Sequence, residues 1–329
     1  MLIDRYGRPV TGLRISVTPR CNLNCIFCHS EGIPRTGEKL VLMTPWEIER
    51  ITRIAMSLEV DSVKLTGGEP MMRPDILDIV ERLGRLGLRD LSMTTNGLRI
   101  SELAGELRKR GLMRINISLH TVDPEKYTKI TGLKDPKVGR MLFEKTVEAI
   151  RRSLEVGLNP VKLNVVVMKG INEGEISDLI DFAADLDSSG KVILQLIELV
   201  RCGNAPEIFE KYYYSLADAE RKIRGKAVKK VVRRLHLRTQ YLLPNGVWVE
   251  FVRPMYNYVF CMNNTRLRIT HDGQFKPCLM RSDNHVEFLS AMRSGASDEE
   301  LKKLLLKAVE LREPYWKPPY LKAEVKERS

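Results

Sequence analysis

Cys21, Cys25 and Cys28 stand at offsets of four and three in "CNLNCIFC" (21–28), and no fourth cysteine follows nearby. Thiolates bind soft metals and iron–sulfur clusters, and a closed structural zinc site takes four ligands. Three thiolates on one tight loop therefore suit a [4Fe–4S] cubane whose fourth iron stays open for a reactant. The competing arrangement is a zinc knuckle completed by a distant group such as His29. A second reactive stretch is "KLTGGEP" (64–70), where Gly67 and Gly68 let backbone come close to a ligand. There Glu69 offers a carboxylate to an ammonium group. In a third, Arg266 and Arg268 lie two apart, so on a strand both point to one face. Paired guanidiniums suit a polyphosphate, although incidental arginines on a solvent-facing strand edge would show the same spacing.

The elements that must position these residues alternate. Strands are expected at 13–18, 61–66, 90–95, 114–119, 161–167 and 192–199. Helices are expected at 44–59, 74–86, 101–109, 138–156 and 173–185, the first carrying a capping box from Thr44 to Glu47. Serial strand–helix units with right-handed crossovers imply a parallel sheet curling into an incomplete barrel. Reactive groups in such folds gather at the C-terminal ends of the strands, where the cysteine loop begins. After about residue 203 the alternation stops. Residues 247–255 alternate like a strand, and 266–279 read as a hairpin turning at Asp272-Gly273. The expectation is an α/β protein: a partial barrel over 1–203, and a C-terminal α+β extension over 204–329 that closes the barrel mouth. A loose tail is expected from Lys317.

The 329 residues are 43% hydrophobic and 29% charged, ordinary for a globular chain. No apolar run approaches the roughly 20 residues a membrane span needs, and the N-terminus shows no apolar signal region. A cytoplasmic location is expected, and six cysteines there point to metal or cluster binding rather than disulfides. The net charge is +12, from 54 Lys and Arg against 42 Asp and Glu. That surplus suits an anionic partner. Much of it lies in "RKIRGKAVKKVVRRLHLR" (221–238), read as a solvated face. A nucleic-acid role has no supporting motif.

C-x3-C-x2-C after a first strand, with GGEP after the second, resembles the radical S-adenosylmethionine enzymes. The likeness narrows through "DRYGRPVTGLRISVTPRCNLNCIFC" (4–28), "TTNG" (94–97), "RINISLHT" (114–121), "VKLNVVVMKGIN" (161–172) and "RLRITHDGQFKPCLM" (266–280). In that order they look like the archaeal branch of the GTP 3′,8-cyclase family that begins molybdenum cofactor biosynthesis. The resemblance implies an incomplete (β/α)6 barrel, S-adenosylmethionine, GTP as substrate and two [4Fe–4S] clusters. Cys21, Cys25 and Cys28 match the ligands of the first cluster. Phe27, Gly67, Gly68, Glu69 and Ser118 match positions that hold S-adenosylmethionine. Arg14, Lys64, Thr94, Lys162, Arg266 and Arg268 match positions that contact GTP. The second cluster's pattern, C-x2-C-x13-C, is met by Cys261 and Cys278 but has Asn264 in the middle. Asn264, or Cys202 after the sixth strand, takes the third position, or else the cluster is absent. Lys64, Gln195 and Val200 stand where relatives often carry arginine, arginine and methionine. A C-terminal Gly-Gly tail of bacterial members is missing. The implied partners are a reducing electron donor, the next enzyme (a cyclic pyranopterin monophosphate synthase) and a second copy in a homodimer. The alternative is a radical enzyme of the same barrel that modifies a peptide or tetrapyrrole.

Overall fold

A computed structural model of the chain describes residues 1–28, 40–202 and 206–319. His29, the boundary at 203–204 and the tail beyond 319 lie outside the described residues. A small hairpin, β1 (Leu2–Ile3) with β2 (Pro9–Val10), leads into β3 (Gly12–Ser16). Then come α1 (Pro45–Met56), β4 (Ser62–Thr66), α2 (Ile76–Gly84), β5 (Asp90–Thr95), α3 (Ile100–Lys109) and β6 (Arg114–Ser118). Next are α4 (Pro124–Ile130), α5 (Pro136–Glu155), β7 (Val161–Val167), α6 (Ile176–Leu186) and β8 (Val192–Glu198). The capping box at Thr44 forms as expected, with Glu47 Oε2 accepting from the Thr44 N–H at 2.6 Å.

The C-terminal part supplies α7 (Pro206–Tyr212), α8 (Ala217–Lys226), β9 (Lys229–Val232), β10 (Thr239–Leu242), β11 (Trp248–Val252) and α9 (Tyr258–Met262). It ends with β12 (Arg266–Ile269), β13 (Gln274–Lys276), β14 (Val286–Glu287), α10 (Leu289–Arg293) and α11 (Asp298–Glu310). Gly273, at φ 79°, makes the expected turn between β12 and β13. A side chain there would drive its Cβ to 2.3 Å from Leu289 Cβ.

One sheet runs β14-β13-β12-β3-β4-β5-β6-β7-β8-β11-β10-β9. The six strands read from the alternation form its parallel centre, and β12 and β11 add a further parallel strand at each side. The C-terminal strands thus extend the barrel wall in both directions. The gap is bridged by a 3-10 turn, Leu235–Leu237, packed on α9. The His236 ring stacks on Phe260 at 3.7 Å and 8°, and the His236 backbone N–H donates to the Asn263 carbonyl at 2.7 Å.

On the strands, Leu13, Ile15, Val63, Leu65, Leu91, Met93, Ile115 and Ile117 form part of the main hydrophobic core, and most are wholly buried. The alternate residues are polar and line the interior: Arg14, Lys64, Thr66, Thr94, Arg114, Asn116, Ser118, Lys162, Asn164 and Gln195. A period of two thus sends the apolar set to one face and the chemistry to the other.

Candidate active site

A cavity of about 440 Å³ occupies the barrel interior. Cys21, Cys25, Cys28, Phe27, Gly67, Gly68, Glu69 and Ser118 line it, together with Arg14, Lys64, Thr94, Lys162, Arg266 and Arg268. Cys261, Asn264 and Cys278 line it as well. Among the described residues, every site residue named from the sequence converges there except Cys202.

The cysteine loop is held by its neighbours. The Asn24 and Ile26 N–H groups donate to the Thr131 and Ile130 carbonyls at 3.1 and 3.0 Å. The Cys28 N–H donates to the Cys25 carbonyl at 2.9 Å. Burial, then repulsion from Cys28 and Cys21, pushes the Cys25 thiol up to about 12. Three thiols so close resist ionising together unless a cationic group joins them. Tetrahedral zinc, with bonds of about 2.3 Å, would draw sulfurs to about 4 Å apart. Among the described residues no three His, Cys, Asp or Glu side chains form such a single-ion site. A cubane spreads its thiolates over three irons and suits this loop better. Phe27 lies on the His120 ring, 4.4 Å between centroids. Burial pushes His120 down to about 3, and its Nδ1 accepts from the Val166 N–H.

The two glycines serve a close approach within the chain itself. A Cβ on Gly67 would sit 2.4 Å from the Thr18 carbonyl oxygen, and one on Gly68 2.3 Å from that of Arg20. They let β4's exit run against the strand leading to Cys21. Glu69 is 3% exposed. Its carboxylate accepts from the Thr95 hydroxyl at 2.6 Å and from the N–H groups of Asn96 and Met71 at 2.7 and 3.0 Å. Burial raises its pKa against those bonds. The side chain is held rigidly at the cavity wall, with lone pairs left for a cationic ligand.

The cations are arranged by a chain of amides that sequence reasoning missed. Lys64 Nζ donates to Asn116 Oδ1 at 2.6 Å, and Asn116 Nδ2 donates to Asn164 Oδ1 at 3.1 Å. From the other side Gln195 Nε2 donates to the same Asn164 oxygen at 3.0 Å, and Arg238 Nη1 lies 3.5 Å from Gln195 Oε1. Lys162 is paired with Glu250 at 2.5 Å, a buried carboxylate from β11 that also holds Arg238 at 2.9 Å and Arg233 at 3.1 Å. Burial opposes ionisation of Glu250, but Arg238, Lys162 and Arg233 outweigh it and hold the carboxyl far below its usual range. Lys64 and Arg266 are pushed well down, first by burial and then by neighbouring cations.

The basic stretch read as a solvated face is therefore only partly one. Lys229, Lys230 and Arg234 are exposed, but Arg233 and Arg238 turn into the cavity. Arg233 and Arg238 lie just after β9 and just before β10, at the two ends of the turn, so no strand period marks them in the sequence.

Cys261 and Cys278 lie within each other's electrostatic reach. Burial raises the Cys261 pKa, against a smaller lowering from the backbone of Trp316 and Tyr315. Arg8 Nη1 donates to the Cys261 carbonyl at 2.9 Å, and Arg312 Nη2 to that of Asn264 at 2.6 Å. Asp4 ties both arginines together, so the chain's first and last described elements clamp this segment. Asn264 Oδ1 accepts from the Arg266 N–H at 3.0 Å.

Residues 15–183 match the Radical SAM superfamily, and 192–318 match the family described as Molybdenum Cofactor Synthesis C. A protein of Thermococcus kodakarensis, named "Probable GTP 3′,8-cyclase", is 50% identical over 322 residues, 96% of this chain and 100% of that one. One of Archaeoglobus fulgidus with the same name is 42% identical, covering 96% and 100%. The chain belongs to the radical SAM superfamily and, within it, to the GTP 3′,8-cyclase family. Its fold is shared with solved radical SAM structures. Streptococcus suis SuiB bound to its precursor peptide SuiA superposes with a TM-score of 0.62 at 20% identity, over 94% of this chain and 66% of that one. The anSMEcpe structure with bound AdoMet gives 0.61 at 15%, over 96% and 83%. As a radical SAM protein the chain uses S-adenosylmethionine and a [4Fe–4S] cluster. No helix among the described residues is long and apolar enough to cross a membrane, and none of the six cysteines is in a disulfide.

Proposed function

We propose that this chain converts GTP to (8S)-3′,8-cyclo-7,8-dihydroguanosine 5′-triphosphate, the first step of molybdenum cofactor synthesis. The observation that carries this reading is one cavity with three loop cysteines at its mouth and buried cations in excess of carboxylates along its walls. A triphosphate supplies the missing anion. A peptide without acidic side chains would leave those charges uncompensated, which weighs against that alternative.

Cys21, Cys25 and Cys28 would hold the first cluster, which with S-adenosylmethionine supplies a carbon radical able to take a hydrogen atom. Glu69, Ser118 and Phe27 would orient the cosubstrate. Arg14, Lys64, Lys162, Arg266, Arg268 and Thr94 would hold GTP so that its 3′ hydrogen faces that radical. Lys64 acts as a point charge aimed by Asn116, in place of a bidentate guanidinium. The C3′–C8 bond then forms, and one electron and one proton complete the product. It is an isomer of GTP, since one hydrogen leaves C3′ and one is gained. Excluding water protects both radicals. Residues 1–203 would carry the first cluster and 204–329 the second, in a cytoplasmic enzyme served by a reducing electron donor and followed by the cyclic pyranopterin monophosphate synthase.

The second [4Fe–4S] cluster would sit on Cys261 and Cys278, with Asn264 beside the third iron. Asn264 shares the cavity with both thiols, whereas Cys202 does not line it. Reconstituted wild type should hold about eight irons per chain and Cys261→Ala about four. Cys202→Ala should keep the wild-type Mössbauer spectrum, while Asn264→Ala alters the quadrupole doublet of one site. About four irons in wild type would remove the second cluster. Anaerobic incubation with GTP, S-adenosylmethionine and dithionite tests the activity, with a product of GTP's own mass expected by mass spectrometry.

A further inference from the structure

The turn between β9 and β10 brings into the cavity two arginines of the stretch read as a solvated face. His236 and Leu237, at its tip, adopt φ of 60° and 48°, a left-handed conformation that L-residues seldom take. Backbone so unusual persists where surrounding contacts over-determine it, often at functional sites. Here the contacts are the His236–Phe260 stack and the bond to Asn263. They fix the turn against α9, the helix that carries Cys261. Arg233 and Arg238 flank the tip and both line the cavity.

Arg238 is held by Glu250 and leans on Gln195. Its side chain is 9% exposed, and its Nε–H has no partner among the described residues. Glu250 is one carboxylate against three cations, Lys162, Arg233 and Arg238. Across the gap, Arg238 is the strongest repulsive neighbour of Arg266. Arg238 arrives from the β9–β10 limb of the open sheet and Arg266 from the β12 limb. Two guanidiniums lining one cavity from opposite limbs, with a buried N–H unused, describe an anion site that the strands of the barrel alone do not complete.

We propose that Arg238 and Arg233, presented by the strained β9–β10 turn, bind the phosphate chain of the substrate opposite Arg266. The inference rests on the GTP reading and adds a positioning limb to it. Gln195 fits this role: β8 offers a carboxamide that accepts from Arg238, so the guanidinium enters from β10 instead of from β8. A polyanion between the limbs would also cancel the repulsion across the gap and close the barrel's open side.

Anaerobic calorimetry on the reconstituted full chain tests this with GTP, guanosine and inorganic tripolyphosphate as probes. Arg238→Gln should weaken GTP and tripolyphosphate binding about 10- to 100-fold, the loss of one charge-assisted contact. Guanosine and S-adenosylmethionine should bind as in wild type, which a merely structural defect would not allow. Arg233→Gln, on the more exposed arginine, should show the same selectivity at about tenfold and serves if Arg238→Gln does not fold. Tripolyphosphate bound at wild-type affinity by both variants, while Arg266→Ala loses it, would overturn the proposal. Arg238-dependent tripolyphosphate binding in a protein that leaves GTP unconverted would support the anion site and overturn the GTP reading instead.

Discussion

Replacing Arg266 and Arg268 together with alanine should abolish cyclisation of GTP while cleavage of S-adenosylmethionine continues uncoupled. Both guanidiniums project from one face of β12 into the cavity, and Arg268 lies in register with Arg14 on β3. Each charge-assisted hydrogen bond to a phosphate contributes about 1.5–3 kcal/mol. Losing two leaves GTP bound roughly 10² to 10⁴-fold more weakly. The proposed S-adenosylmethionine site, on the cysteine loop and the Gly67–Glu69 turn, lies on other elements than β12. 5′-Deoxyadenosine should therefore still form, without its hydrogen coming from GTP. Chromatography of both products from one reaction reads the split directly. Full cyclisation by the double variant would remove these residues from substrate binding.

Glu250→Gln should lower the melting temperature of the substrate-free protein by roughly 5 °C, and GTP or tripolyphosphate should restore most of the loss. Glu250 is wholly buried and is the carboxylate shared by Lys162, Arg233 and Arg238. Breaking a buried ion pair by removing one partner costs about 3–5 kcal/mol, because the other charge is left without compensation. At about 0.7 kcal/mol per degree for a chain of this size, that cost amounts to roughly 5 °C. A polyanion in the cavity takes over the missing charge, and a ligand that binds only the folded state stabilises it by mass action. The ligand-induced rise in melting temperature should thus be larger in the variant than in wild type. An equal rise in both would mean that Glu250 and the phosphates act on different cations.

The parts of the site that lie on short local patterns are legible in the sequence. Cys21, Cys25 and Cys28 sit on one loop after one strand, and Gly67–Glu69 follow the next. Arg266 and Arg268 reach a common face through the period of a single strand. Expected strands 90–95 and 161–167 match β5 and β7, and the others differ by a residue or two at their ends. What the sequence hides is non-local. Glu250 reads there as one more alternating residue, because its three partners come from β7 and from the two ends of the β9–β10 turn. Gly67 and Gly68 are required by the backbone of Thr18 and Arg20, a contact that only the pairing of β3 with β4 creates. The Asp4–Arg8–Arg312 clamp spans almost the whole chain. Its place after the sixth strand puts Cys202 near the barrel mouth, and the cavity wall passes it by.

The most direct test is the fate of the hydrogen at C3′. GTP labelled with deuterium at that carbon is incubated anaerobically with the reconstituted protein, S-adenosylmethionine and a reductant. 5′-Deoxyadenosine carrying one deuterium, formed together with a product isomeric with GTP that has lost that deuterium, is the result expected of a GTP 3′,8-cyclase. Unlabelled 5′-deoxyadenosine with GTP recovered intact would contradict it, and the cation-lined cavity would then need another polyanionic substrate.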